Sequence, residues 1–336
     1  MKSDQLITAD PILQRLNSVA NSYPDRRVAA RLYGAILPLV SDMVIHDAPL
    51  SLDQTKIKNC LESGVPVLAE LDLVVDSQEL VELFLQLTCA VESMYANPDR
   101  KRRWKIWQHT PDVHESDEHY ECQALHAAAA LIRRAHEDGL LDLGQILNFA
   151  VSGDYDSIVA NTGKLQLNTE LLRTLARNAL KPVLRRCCGE LIPFTAGLSW
   201  DKGICFVCGA RATLGELRDN NQIKYLRCGE CGADWYFNRL QCLHCGNTDH
   251  ATQQYLYSDD CESSRIDACD KCHGYLKVIT TFAPTLPEML AVEDLATLHL
   301  DFIAQNKGYL KVAKLHSFRN LYPHTPYPIP LSGRSR

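Results

Sequence analysis

Residues 225–246 read YLRCGECGADWYFNRLQCLHCG. Two Cys-x-x-Cys pairs, Cys228/Cys231 and Cys242/Cys245, follow each other closely in this stretch. The fold of the C-terminal half depends on whether they share one metal ion, belong to two, or pair as disulfides. Two further pairs flank them, Cys205/Cys208 and Cys269/Cys272. Laid side by side, CFVCGARATLGELRDNNQIKYLRCGEC (205–231) and CLHCGNTDHATQQYLYSDDCESSRIDACDKC (242–272) form an internal repeat. Each opens on Cys-x-x-Cys-Gly and runs into a strand-like stretch, ATLGEL or TQQYLY. Each then turns through polar residues (DNN at 219–221, SDDCESS at 258–264) and returns through QIKYLR or RIDA to another pair. A hairpin of this kind brings its two ends together, so four sulfurs converge on one tetrahedral point at roughly 2.3 Å from a metal. The repeat therefore assigns Cys205, Cys208, Cys228 and Cys231 to one site, and Cys242, Cys245, Cys269 and Cys272 to the other. The rival grouping, Cys228, Cys231, Cys242 and Cys245 on one ion, leaves the outer pairs stranded and uses neither hairpin.

Gly209 and Gly246 follow the first pair of each repeat, where a left-handed turn lets backbone N–H groups face the sulfurs. A purely structural reading, metals that staple small domains lacking a core of their own, stands beside any redox reading. Trp235 and Arg239, between the two central pairs, read either as aromatic cover and a local ion pair or as a docking surface between the repeats.

The chain has 336 residues, fourteen cysteines and a formal net charge of −6. Six cysteines lie outside the pairs: Cys60, Cys89, Cys122, Cys187, Cys188 and Cys261. The start, MKSDQLITADP, has no apolar signal-like run, so a cytoplasmic protein is expected. A reducing compartment argues against structural disulfides and for thiolate–metal sites. The most apolar stretch, VAARLYGAILPLVSDMVI (28–45), carries Arg31 and Asp42, which argues against a membrane span. Residues 205–272 hold seven Lys/Arg against ten Asp/Glu, the wrong sign for a nucleic-acid-binding zinc ribbon. The basic run RKRRWKIW (100–107) lies elsewhere and reads as a partner-binding or solvated loop.

Residues 1–200 read as a helical domain. Helical spacing marks 24–44, 77–96, 122–139 and 167–188, the last with a break expected before Pro182, and longer loops are expected near 97–119 and 151–166. His119, Cys122 and His126 share a helical face and read as an ordinary one; Cys187 and Cys188 read as a buried helix end. After the metal-bearing segments, 201–241 and 242–284, a C-terminal helix spans 285–310 and a proline-rich tail 311–336. The expected class is multidomain α+β: a mainly helical N-terminal domain, two small zinc-ribbon metal domains and a C-terminal helix. Phosphate-loop, dinucleotide, zinc-protease and nucleophile-elbow motifs are absent, so no catalytic residues are assigned and an enzyme in its own right is not expected.

Three stretches together resemble the formate dehydrogenase accessory protein FdhE family: CFVCG followed by YLRCGECGADWYFNRLQCLHCG, then DACDKCHGYLKV (267–278), then EDLATLHLDFIAQNKGY (293–309). The resemblance covers about residues 200–310. It implies a helical domain carrying two rubredoxin-like domains, and a cytoplasmic maturation factor whose client is the catalytic subunit of a molybdenum- or tungsten-containing formate dehydrogenase. It also implies iron in rubredoxin-like four-cysteine sites, with zinc as the alternative. The chain departs from the usual Cys-Pro-x-Cys-Gly, with Phe206 and Leu243 at the proline positions. A rubredoxin-type electron carrier and a zinc-ribbon nucleic-acid binder are the rival functions, and the helical domain is the candidate surface for a homodimer.

Overall fold

A computed structural model describes residues 9–45, 53–71, 77–96, 115–195, 200–258 and 261–311. The first part is helical: α1 (Ala9–Ser22), α2 (Arg27–Asp42), α3 (Gln54–Glu62), α4 (Val67–Glu70), α5 (Ser77–Ala96), α6 (Glu115–Glu137), α7 (Leu143–Ser152), α8 (Tyr155–Leu165) and α9 (Thr169–Leu191). Side-chain oxygens start four of these helices. Asp53 accepts from the N–H groups of Thr55 and Lys56, Asp142 from Gln145, Asp154 from Ser157 and Asn168 from Leu171. Each meets N–H groups that the first helical turn leaves free. α5 packs on α2, α6, α7 and α9, and α1 lies against α2. Phe84, Leu87, Leu172, Leu175 and Ala176 are buried in the core between them.

Two expectations for this part change. The stretch 151–166, read as a loop, is largely α8, capped by Asp154 and closed by Gln166 in the left-handed region (φ 54°). Its buried positions are Ile158 and Thr162, too few to give a strong periodic signal. α9 runs unbroken through Pro182. A proline inside a helix costs ~3 kcal/mol in lost hydrogen bonding and steric conflict. Here Leu175, Ala176 and Ala179 on one side and Val183, Leu184 and Cys187 on the other are all buried, and that packing keeps the helix continuous through the defect. The run RKRRWKIW lies outside the described residues.

The second part is a sheet made of β1 (Leu214–Arg218), β2 (Ile223–Arg227), β3 (Asp234–Tyr236), β4 (Gln253–Ser258), β5 (Cys261–Cys269) and β6 (Tyr275–Thr281). β1 pairs antiparallel with β2, and β4 with β5, as the repeat implies. The two metal-bearing segments do not form separate sheets. Their six strands make one sheet in the order β3-β2-β1-β6-β5-β4. The seam is the parallel pairing of β1 with β6, Gly215 opposite Val278 and Leu217 opposite Thr280. A Cβ at Gly215 would lie 3.1 Å from side-chain atoms of both Leu276 and Val278.

The C-terminal helix is two helices, α10 (Leu290–Ala296) and α11 (Leu298–Asn306). The chain bends at Thr297, whose hydroxyl donates to the Glu293 carbonyl at 2.7 Å. The bend aims Asp294 and Asp301 at one ammonium, Lys277 Nζ, at 2.6 and 2.8 Å. Among the described residues no helix is long and apolar enough to cross a membrane.

Candidate metal centres

All four Cys-x-x-Cys pairs adopt the same local turn. The N–H of the first cysteine donates to the carbonyl five residues on: Cys205 to Ala210 at 2.7 Å, Cys228 to Ala233 at 2.9 Å, Cys242 to Asn247 at 2.8 Å and Cys269 to Gly274 at 3.0 Å. The residue after the second cysteine donates back to the carbonyl of the first. That residue is left-handed in every case: Gly209 (φ 72°), Gly232 (φ 79°), Gly246 (φ 72°) and His273 (φ 56°). Gly209 and Gly246 thus hold the turn, while their own N–H groups serve carbonyls. Backbone N–H groups of His244 and Gly274 are directed at Cys242 Sγ and Cys272 Sγ, both at 3.4 Å, and the Asn247 side-chain amide donates to Cys269 Sγ at 3.6 Å. The sequence reading passed over Gly232 and His273, although their place after the second cysteine of a pair marks them.

The sulfurs meet in two clusters, Cys205/Cys208/Cys228/Cys231 and Cys242/Cys245/Cys269/Cys272, with all sulfurs of a cluster within 4.8 Å of one another. In the first, Cys205–Cys231 is 3.4 Å and Cys208–Cys228 is 3.5 Å. In the second, Cys242–Cys272 is 3.7 Å and Cys245–Cys269 is 3.8 Å. These separations exclude disulfide bonds, which need about 2.05 Å. A regular tetrahedron with metal–sulfur bonds of roughly 2.3 Å has edges of about 3.8 Å, so the donor set fits a four-thiolate ion. Hydrogen bonds from Cys205, Cys208 and Cys231 hold the Cys228 thiol well below its ordinary value, and one from Cys272 brings Cys242 to about 4. Each cluster therefore favours a thiolate before any ion arrives, and an ion would displace the remaining protons.

The two clusters differ in surroundings. All four sulfurs of the first belong to buried residues, whereas Cys245 and Cys272 of the second are half-buried. The helical part covers the first. Val67 and Leu68, at the start of α4, donate their free N–H groups to the carbonyls of Phe206 and Val207 at 2.9 Å each, inside the Cys205–Cys208 turn. Arg177 of α9 pairs with Glu230, which lies between Cys228 and Cys231. Burial alone would raise Glu230, but Arg177 and Lys181 hold its carboxyl below the usual range. Burial, followed by the neighbouring Cys188 thiol, raises Cys231 well above an ordinary thiol. Cys188 thus sits against the first cluster, which its place in the sequence gave no reason to expect.

Trp235 is buried, its indole N–H donating to the Lys202 carbonyl at 2.9 Å. It meets Phe206 edge-on at 6.3 Å, and Phe206 meets Trp200 at 6.4 Å. An aromatic wall therefore stands where a proline was expected, and Trp235 offers no open docking face. Arg239 is half-buried near the junction of the repeats. His119, Cys122 and His126 form no cluster. The His126 ring meets the Glu92 carbonyl at 2.7 Å, and Cys122 is buried beside Arg31.

Comparison with known proteins follows from this geometry. Residues 240–316 match the family described as FdhE, C-terminal domain. An FdhE homologue of Aquifex aeolicus is 24% identical over 310 residues, 90% of this chain and 92% of the relative. One of Shewanella baltica (strain OS185) is 36% identical over 112 residues, 32% of this chain and 36% of the relative, so that match spans about a third of each. The crystal structure of the FdhE protein from Pseudomonas aeruginosa superposes with a TM-score of 0.51 at 21% identity, covering 94% of this chain and 95% of that one, a likeness of fold. The motif match and the near full-length relative make this chain similar to the FdhE family, and the solved structure shares its fold.

Proposed function

We propose that this protein is a cytoplasmic accessory factor for formate dehydrogenase, engaging the catalytic subunit during its maturation, and that each four-cysteine cluster holds one metal ion. The observation that carries this reading is the presence of two preformed tetrahedral sulfur cages on one sheet in a chain similar to the FdhE family. Cys205, Cys208, Cys228 and Cys231 would hold one ion, and Cys242, Cys245, Cys269 and Cys272 the other. Iron, the ion the rubredoxin resemblance implies, supplies one-electron chemistry in such a cage; zinc, the alternative, supplies only a rigid tetrahedral staple. Gly209 and Gly246 shape the turns around the sulfurs, Trp235 shields the first cage, and Arg239 is the candidate contact for a client. Four protein ligands leave no open coordination position for a substrate, which supports a non-enzymatic role. Buried free thiols at Cys60, Cys122, Cys187 and Cys188 suit a reducing compartment.

A second reading, a one-electron carrier, is favoured by the half-buried Cys245 and Cys272, which bring the second cage near the surface. One preparation tests both. Protein purified without oxygen from cells making formate dehydrogenase is expected to bring down the catalytic subunit and to carry one iron in each of the two cages, with a thiolate-to-iron charge-transfer spectrum after oxidation. Recovery without the catalytic subunit would remove the client reading. A colourless protein with zinc in both cages would remove the electron carrier and leave the cages structural.

A further inference from the structure

Between the two cages, the helical part and the sheet enclose a cavity of about 180 Å³ that neither metal reading uses. One water needs ~10–15 Å³ on such a measure, so a polyatomic ion fits with solvent around it. The lining is basic. Arg177, Lys181, Arg211, Lys277 and Lys311 face it, against the carboxylates of Glu230 and Asp294. Three of these cations are matched: Arg177 pairs with Glu230, while Lys277 and Lys311 share Asp294 and Asp301. Lys181 and Arg211 make no direct ion pair among the described residues; Glu230 is bound to Arg177 and acts on Lys181 only from beyond contact.

Lys181 is only 7% exposed. Its hydrogen bond goes to Asn178 Oδ1 at 2.9 Å, which leaves other ammonium N–H groups to be met. Arg211 Nε and His244 Nδ1 are buried with no partner. An unmatched buried cation and orphaned polar atoms are costly, and an anion in the cavity would meet them together. His244 narrows the choice. Its Nε2 faces the Tyr275 carbonyl at 3.1 Å and must donate there, so in the neutral ring Nδ1 is an acceptor. An acceptor among cations suits an anion that carries a hydroxyl of its own.

We propose that this cavity binds a phosphate-class oxyanion, with Lys181 and Arg211 supplying charge and His244 Nδ1 accepting from the phosphate hydroxyl. The group is either free inorganic phosphate or the phosphate end of a larger molecule entering through the cavity mouth.

The test is calorimetric titration of the full-length, metal-loaded protein at constant ionic strength and about pH 6, where a phosphate monoester still keeps a hydroxyl on much of its population, with inorganic phosphate, methyl phosphate and sulfate. One phosphate per chain is expected to bind saturably. Sulfate, which has no hydroxyl to offer near neutral pH, and the variants Lys181→Met and Arg211→Gln with phosphate, are each expected to bind about tenfold or more weakly, the loss of one charge-assisted hydrogen bond. Methyl phosphate binding as tightly as phosphate identifies the end of a larger molecule; weaker binding identifies the free ion. Arg211 is half-buried, so its variant remains informative if Lys181→Met does not fold. Absence of saturable phosphate binding, or unchanged affinity in Arg211→Gln, would overturn the proposal. So would loss of metal from both variants, which would assign these cations to balancing the charge of the first cage.

Discussion

Gly209, Gly232, Gly246 and His273 occupy one position in four copies of one turn, yet the four sites tolerate a side chain differently. A Cβ at Gly246 would meet nothing within 4 Å, whereas at Gly232 it would lie 2.7 Å from Pro287 Cβ. Gly246→Ala is therefore expected to cost only the backbone term, about 1–2 kcal/mol for an L-residue in the left-handed region. Gly232→Ala must also push Pro287 aside and should lose distinctly more. Urea denaturation of the metal-loaded variants measures both, and equal losses would show that backbone conformation alone decides. His273 shows that a larger residue can hold the turn when it finds neighbours; its ring lies 6.2 Å from that of Tyr309. The glycines were legible in the sequence because each directly follows a cysteine pair. Their clashes were not, because Pro287 and Pro66 reach them from distant parts of the chain.

At the scale of the element, β1 is the strand that propensity explains least. It is buried along its whole length, Glu216 and Arg218 included. Glu216 accepts from Arg227 Nη1 at 2.7 Å, from Arg218 Nε at 2.8 Å and from the Thr285 N–H at 3.1 Å. Arg218 continues to Asp234 on β3 at 2.5 Å. A charged chain of this kind ties β1, β2 and β3 across the sheet. Removing its centre leaves buried Arg227 without a carboxylate and Arg218 with Asp234 alone, so Glu216→Ala is expected to destabilise by roughly 3–5 kcal/mol. Glu216→Gln, which keeps the shape and one acceptor oxygen, should cost less. Chemical denaturation of the pair checks this, and a loss under about 1 kcal/mol for the alanine variant would mean that the ion pairs gain no more than their desolvation costs.

Over the whole molecule, the first cage is enclosed by α4, α9 and the sheet, while the second keeps two half-buried cysteines. With an ion in each, a chelator is expected to remove metal in two phases, the second cage first. Cys245→Ser should lose one ion and retain helical circular dichroism. Cys228→Ser should lose the other ion and loosen the contact between the helical part and the sheet, seen as faster amide exchange at Val67 and Leu68. A single chelation phase, with both variants equally disturbed, would mean that the continuous sheet couples the cages into one cooperative unit.

The sequence by itself determined which cysteines belong together, because ligand spacing and the return path of a hairpin are local properties of the chain. It also determined the helical nature of the first part, through apolar periodicity in α2, α5, α6 and α9. Tertiary structure decided what local pattern does not encode: the parallel seam of β1 with β6, the continuity of α9 through Pro182, and the bend at Thr297 that aims Asp294 and Asp301 at Lys277. It also decided the unequal burial of the two cages and the gathering of Lys181, Arg211 and His244 around one cavity. These depend on packing between residues far apart in the chain, where burial can override a proline's local cost and bring together side chains whose spacing carries no signal.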